Sequence, residues 1–380
     1  MFSTETLITT TDSEIMRELH VPKAWSAYCG NFTLEDLFTT DSVYIAACHA
    51  SSGFMDKKDT WCFMQSAWTN SYKLCQQVLG GTFRPKYFKE RSILERGKPR
   101  VIKPPYFECK VVQKVICDYL IRPLFEPRMI DTSYASIKGR GTHRMYKEIL
   151  EELNRHLNDA GGINIVMGDY CGYFASIPVG KLMYEVFAPL IKDRRVVELI
   201  HMFSPDEFGL SLGNELSQVP ASFYPTPFDR HVKEDMKLPY FRFMDDSLAI
   251  IPKEMTDAYI ADYKAYTDRL DLKTADKKIR IVSVGQGFRF CKELFLWDSQ
   301  KKCYYTRPNP KAETIEKRKL KAMGEKLREG EINEHDITKQ FRSVMGGMEK
   351  QSNNWKSRQR LWDTYHKTIG KQSPEREKIW

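Results

Sequence analysis

The spacing of apolar positions changes several times along this chain, and each change predicts an element. Residues 20–80 read as helical, with aromatic positions at Trp25, Tyr28, Trp61 and Trp68. Gly80-Gly81 followed by Pro85 breaks that run. Residues 83–103 read as a β-hairpin with a basic turn. In 111–125, Val112, Val115, Ile116, Tyr119 and Leu120 fall on one helical face. A glycine-rich basic loop over 134–144 precedes a helix predicted at 145–158. The apolar run 163–167 reads as a buried strand that ends at Asp169. Residues 179–203 are periodic and predict one long helix. Pro220, Pro225 and Pro227 then predict a short helix that stops before Pro225 and restarts near Phe228. Two short apolar runs flank Asp245-Asp246, which predicts a hairpin with the acidic pair at its tip. A helix over 254–270, a strand pair over 287–296 and 302–307, and helices from Ala312 onward complete the pattern. The expected class is α+β with an antiparallel central sheet.

Composition narrows the class. The chain has 380 residues, 42% hydrophobic and 29% charged, as in ordinary globular proteins. No stretch reaches the roughly 18 apolar residues a membrane-spanning helix needs. Residues 1–16 are polar and carry Glu5, Asp12 and Glu14, unlike a signal or transit peptide, so a cytoplasmic protein is expected. The nine cysteines form no Cys-x-x-Cys pair, and Cys48, Cys62 and Cys75 near His49 match no zinc spacing. Reduced thiols are expected. Residues 305–380 carry 18 Lys/Arg against 11 Asp/Glu, which is +7 of the net +9. That local excess points to a polyanionic partner, although a solvated helical face accounts for most charge runs.

The candidate chemistry lies in three aspartates. Asp169 ends one strand, and Asp245 and Asp246 sit in a hairpin 76 residues later. Two adjacent carboxylates on a tight turn repel each other unless cations sit there. Two-metal phosphoryl transfer needs carboxylates from separate elements around ions ~3.5–4 Å apart. A turn residue or a cap is the ordinary reading of any one aspartate alone.

Read together, these segments resemble a reverse transcriptase over residues 85–380. Asp169-Tyr-Cys-Gly-Tyr-Phe-Ala-Ser-Ile resembles the first catalytic block of the palm domain. Phe243-Met-Asp-Asp246 resembles the Tyr-x-Asp-Asp block with Phe in place of Tyr. Leu212-Gly-Asn-Glu-Leu-Ser-Gln218 resembles the Gly-x-x-x-Ser block, and 287–292 resembles the primer-grip hairpin. The runs at 135–143 and 224–229 look closest to bacterial defence-associated enzymes of the second class. Gln218 is like that of diversity-generating retroelement enzymes, which keeps that family as an alternative.

The resemblance implies a right-hand polymerase: an N-terminal helical region and fingers over 1–160, a palm over 161–304 and a basic helical thumb over 305–380. It implies RNA-directed DNA synthesis from dNTPs. The template would be a dedicated structured non-coding RNA and the product cDNA, in antiphage defence. Asp169, Asp245 and Asp246 would hold two magnesium ions, with manganese as a substitute. Lys278 would assist the leaving pyrophosphate, though Lys277 competes for that position. Phe174 is either a gate against the ribose 2′-hydroxyl or a core aromatic. Lys98, Arg100 and Lys103 would meet the triphosphate, or else belong to a solvated turn. Gly213, Ser217 and Gln218 would lie against the template base pair. Lys138, Arg140, Arg144, Lys292, Lys317, Arg318 and Lys321 would contact nucleic acid. No nuclease-like Cys/His set is visible. An RNA-binding or splicing-helper protein with a vestigial site is the reading from another class.

Overall fold

The burial pattern of the apolar runs decides which become helix and which become sheet. The computed structural model describes residues 31–95, 98–159, 162–211, 214–274, 279–308, 310–349 and 355–370. In chain order the elements used below are α1 (Thr40–Ser51), α2 (Ala67–Leu79), β1 (Arg91–Glu95), β2 (Lys98–Ile102), α3 (Phe107–Ile116), α4 (Thr142–Arg155) and β3 (Ile163–Asp169). They continue with α5 (Arg194–His201), α6 (Glu215–Phe223), β4 (Tyr240–Phe243), β5 (Asp246–Pro252) and α7 (Thr256–Arg269). The last are β6 (Arg280–Ser283), β7 (Phe288–Phe290), β8 (Glu293–Asp298), β9 (Cys303–Pro308), α8 (Pro310–Arg328), α9 (Glu334–Glu349) and α10 (Trp355–Thr368). This is an α+β chain with antiparallel sheets, as the pattern predicts.

The chain divides into two compact units that alternate along the sequence. The first comprises Met1–Ile137, Tyr170–His231 and Tyr263–Thr274. Within it, α1 starts at a reciprocal cap: the Thr39 hydroxyl accepts from the Ser42 N–H, and the Ser42 hydroxyl accepts from the Thr39 N–H, both at 3.1 Å. Its buried face carries Val43, Ala46 and Ala47. β1 and β2 form the expected antiparallel hairpin, with Glu95 opposite Lys98. Val111, Val112, Val115 and Ile116 are fully buried along α3.

The single helix expected over 179–203 is broken. Short helical turns cover Val179–Lys181, Leu182–Phe187 and Ala188–Leu190, and α5 begins only at Arg194. The helical run passes Pro189, with the Ile191 N–H donating to the Phe187 carbonyl at 2.8 Å, and ends where the Ile191 backbone turns extended. Asp193 then caps the new helix by accepting from the Arg195 N–H at 2.9 Å. The proline-rich segment behaves as expected: α6 ends at Phe223, and a helical turn restarts at Thr226–Arg230.

The second unit comprises Lys138–Asp169, Val232–Asp262 and Ala275–Trp380. Its four-stranded antiparallel sheet has the order β4-β5-β3-β6. β3 is central, and Ile163, Ile165 and Val166 are buried along it. Leu248, Ala249, Ile250 and Ile251 of β5 are equally buried, so both strands read as near-continuous apolar runs. α4 begins three residues earlier than expected, because the first turn of a helix tolerates the polar Thr142-His143-Arg144. Its buried Met145, Ile149 and Leu153 form the inner stripe. The segment 287–296 folds back on itself, giving a three-stranded sheet β7-β8-β9. Asn154 of α4 ties to that sheet, accepting from the Tyr304 N–H at 2.7 Å and donating to the Tyr304 carbonyl at 3.1 Å.

Helices α8 to α10 pack around Leu320, Ile337, Phe341, Met345, Leu361 and Tyr365. The Phe341 and Tyr365 rings stack with centroids 4.2 Å apart. Among the described residues, no helix is long and apolar enough to cross a membrane.

Candidate active site

Strand register brings two of the three aspartates together. Asp169, the last residue of β3, lies directly opposite Asp246, the first residue of β5. Asp246 in turn lies opposite Phe243, the last residue of β4. Directly opposed residues of an antiparallel ladder project to the same face. Phe243, Asp246 and Asp169 therefore form one row across the end of three strands. All three are half-buried, and Asp169 Oδ1 is shut off from solvent.

Asp245 sits beside this row in the two-residue turn Met244-Asp245. Met244 has φ 60°, in the left-handed region that a residue with a side chain rarely adopts. Such a conformation costs about 1–2 kcal/mol and persists only where neighbours hold it. One such neighbour is Arg242, whose Nη1 donates to the Met244 carbonyl at 3.0 Å. Arg242 lies opposite Ser247, on the other face of the sheet from the aspartate row. Ser247 donates its hydroxyl to the Gly168 carbonyl at 3.4 Å, behind Asp169.

A second hairpin reaches the row. Cys291, at the β7–β8 turn, has φ 50° and directs its thiol to Asp246 Oδ2 at 3.7 Å. The neighbouring Lys292 N–H donates to the Tyr146 hydroxyl of α4 at 3.3 Å. Burial holds the Tyr146 phenol far above its ordinary pKa, so it stays neutral.

The donor set can be tested against a hard divalent cation. Like charges directly opposed across a ladder destabilise it. Asp169 and Asp246 are placed that way at the end of two strands whose buried positions are mostly apolar. Their Cβ atoms stand about 4.5–5.5 Å apart in such a pair, within reach of a shared ion bound through oxygen at about 2.0–2.1 Å. Among the described residues, no three His, Cys, Asp or Glu side chains are already gathered closely enough to hold a metal. The fit thus rests on backbone register and on an all-carboxylate set suited to magnesium or manganese. A cation would have to draw the three carboxylates inward.

The other candidates are spread over both units. Phe174 belongs to the first unit, in the turn Tyr173–Ser176; it is half-buried and meets Tyr173 edge-on at 5.9 Å. Its carbonyl accepts from the Leu210 N–H at 2.7 Å. Ser217 is buried and Gln218 exposed on α6. Lys98 and Arg100 lie in β2, and Lys103 just beyond it is exposed and paired with Glu90 at 2.8 Å. Gly213 and Lys278 lie outside the described residues.

Lys138 is exposed in the loop before α4, Arg140 is half-buried, and Arg144 pairs with Glu148 at 2.6 Å. Lys292 is exposed. On α8, Arg318 and Lys321 are exposed, whereas Lys317 is half-buried and bound to Glu313 at 2.7 Å. Three of the expected anion-binding cations, Lys103, Arg144 and Lys317, therefore already hold carboxylates.

Sequence reasoning missed four supports. Arg242, Cys291 and Tyr146 adjoin the row or its turn. In the first unit, Gln113 fixes the start of α6: it accepts from the Glu215 N–H at 3.2 Å and donates to Asn214 Oδ1 at 3.3 Å. Glu215 itself receives Lys114 at 3.0 Å and Arg122 at 3.1 Å. One signal was available: Arg242 stands between two phenylalanines in a strand whose other residues are all aromatic.

The chain matches no model of a known protein family, and no curated protein matches it.

Proposed function

We propose that the chain is an RNA-directed DNA polymerase that copies a dedicated structured RNA into cDNA. The observation that carries this reading is the register pair Asp169–Asp246, with Asp245 in the adjoining turn. In this reading the fingers lie in 1–160, the palm in 161–304 and the thumb in 305–380. Asp169, Asp245 and Asp246 would hold two magnesium ions. Bound there, the ions would supply Lewis-acid activation of a primer 3′-hydroxyl and neutralisation of the departing pyrophosphate.

The chain's own residues would do the rest. The antiparallel pairing of β3 and β5 sets the spacing of the carboxylates before substrate arrives. Phe174 would present a ring where a 2′-hydroxyl would otherwise fit, favouring dNTPs. Lys98, Arg100 and Lys103 would bind the triphosphate, with Lys103 exchanging Glu90 for phosphate oxygens. Lys278 would give a proton to the leaving group. The exposed Lys138, Lys292, Arg318 and Lys321 would bind phosphates of template and primer. A role in antiphage defence follows from the sequence resemblance alone.

Primer extension on poly(rA)/oligo(dT) tests the activity. Magnesium-dependent dTMP incorporation by the full chain is expected. No incorporation with magnesium or manganese on this and on co-purified RNA would contradict it. Phe174→Ala should raise incorporation of rNTPs relative to dNTPs, and unchanged selectivity would return Phe174 to a packing role.

A further inference from the structure

Arg242 is the largest side chain with no solvent exposure in the described chain. It lies under the face that carries Asp169 and Asp246, one residue before Phe243 and two before Met244. A guanidinium is costly to bury unless hydrogen-bonded or paired, and an apolar residue of similar volume would fill the same space more cheaply. One of its bonds goes to the carbonyl of Met244, the residue held at φ 60°. The bond therefore acts on the least favourable backbone conformation in the acidic turn.

We infer that Arg242 is the positioning residue of this turn, clamping the Met244 carbonyl so that Asp245 and Asp246 stay aimed for a divalent cation. Two physical effects combine. The charged hydrogen bond, stronger than a neutral one, fixes Met244 in its left-handed state. The buried positive charge also offsets the mutual repulsion of the carboxylates on the opposite face before a cation arrives. The catalytic meaning of this inference rests on the polymerase reading. The cation site itself does not.

The test is manganese binding to the full chain, followed by paramagnetic resonance or calorimetry, beside primer extension. Arg242→Met should weaken manganese binding by about 10–100-fold, as loss of a supporting partner of metal ligands typically does. The metal concentration needed for synthesis should rise in step, while KM for dNTP stays near that of the parent. Met244→Gly relieves the left-handed strain, so it should restore part of the lost affinity when added to the Arg242 variant. A clamp predicts this coupling, whereas a side chain that only fills the core predicts additive effects.

If Arg242→Met loses its thermal unfolding transition, the same cycle is run with Arg242→Lys. Lysine keeps the charge but not the planar fork, and an intermediate affinity, again improved by Met244→Gly, is expected. Parent-like manganese affinity in a folded Arg242 variant, or strict additivity with Met244→Gly, would overturn the inference. A parent that binds manganese through Asp245 and Asp246 yet makes no DNA would overturn the polymerase reading and leave the clamp standing. A parent that binds no manganese would overturn the clamp's proposed purpose as well.

Discussion

The four-stranded sheet and the C-terminal helices belong to the same compact unit but place their carboxylates differently. In the bundle, Glu313 takes a bidentate pair from Arg360 at 2.7 and 2.6 Å and a third contact from Lys317 at 2.7 Å. Those cations, led by Arg360, hold its carboxyl down at about 2. At the sheet end, two carboxylates face each other across a ladder and a third occupies the strained turn beside them. The Glu313 carboxylate therefore has its cations already in place. At the sheet end, strand register sets two carboxylates opposite each other beside a left-handed turn residue, and the proposed cation site rests on that placement.

Perturbing the bundle should have the largest effect on stability. Phe341→Ala removes a ring that is nearly buried and stacked on Tyr365. A loss of about 3–5 kcal/mol is expected in thermal or denaturant unfolding. A loss below about 1 kcal/mol would mean that the bundle core is looser than its packing implies.

Glu293 sharpens the contrast from the other side. It begins β8, next to the turn carrying Cys291 and Lys292, and is 2% exposed. Its Oε2 is buried without a hydrogen-bond partner. Burial pushes its pKa up to about 7, against a small opposing effect from the Thr306 hydroxyl. The folded state then keeps a proton that the unfolded state has lost above about pH 4.5. Stability contributed by this group falls as pH rises from about 4.5 to 7 and then levels off. Glu293→Gln should therefore be neutral near pH 4 and stabilising by on the order of 2 kcal/mol at pH 8. A pH-independent effect would show that the carboxyl is solvated in the folded state. Glu313 has the opposite sign: its contribution is present above about pH 4.5 and is lost as pH falls towards 2.

The smallest effect concerns salt. Reversing Arg318 and Lys321 should flatten the dependence of template affinity on salt, since each phosphate contact adds a slope of about −0.9 on B-DNA and −0.7 on single strands. Reversing Lys317 should change that slope less, because Glu313 already occupies it. Equal effects at all three positions would mean that the Glu313 pair opens when nucleic acid binds.

The sequence made some of this legible for identifiable reasons. The hairpin around Asp245-Asp246 and the strand ending at Asp169 are short apolar runs bounded by polar residues, and period and length suffice to read them. Whether Asp169 would stand opposite Asp246 depends on register, which pairs residues 77 positions apart and leaves no local trace. The break at 191–193 was masked by apolar periodicity that carries on through it. Arg242 was invisible as a clamp because its role depends on burial and on the φ of Met244. Cys291 joined the row only through the folding-back of β7 on β8, and the ion pairs of Lys103 and Lys317 appeared only with side-chain geometry.

A catalytic carboxylate site at the sheet end must fail when its turn carboxylates are removed. The most direct test measures DNA synthesis and RNA affinity together in Asp245→Ala/Asp246→Ala. No detectable synthesis is expected, with template affinity near that of the parent and an unfolding temperature unchanged or slightly raised by the removal of like charges. Full synthesis by this double variant would contradict a catalytic site there.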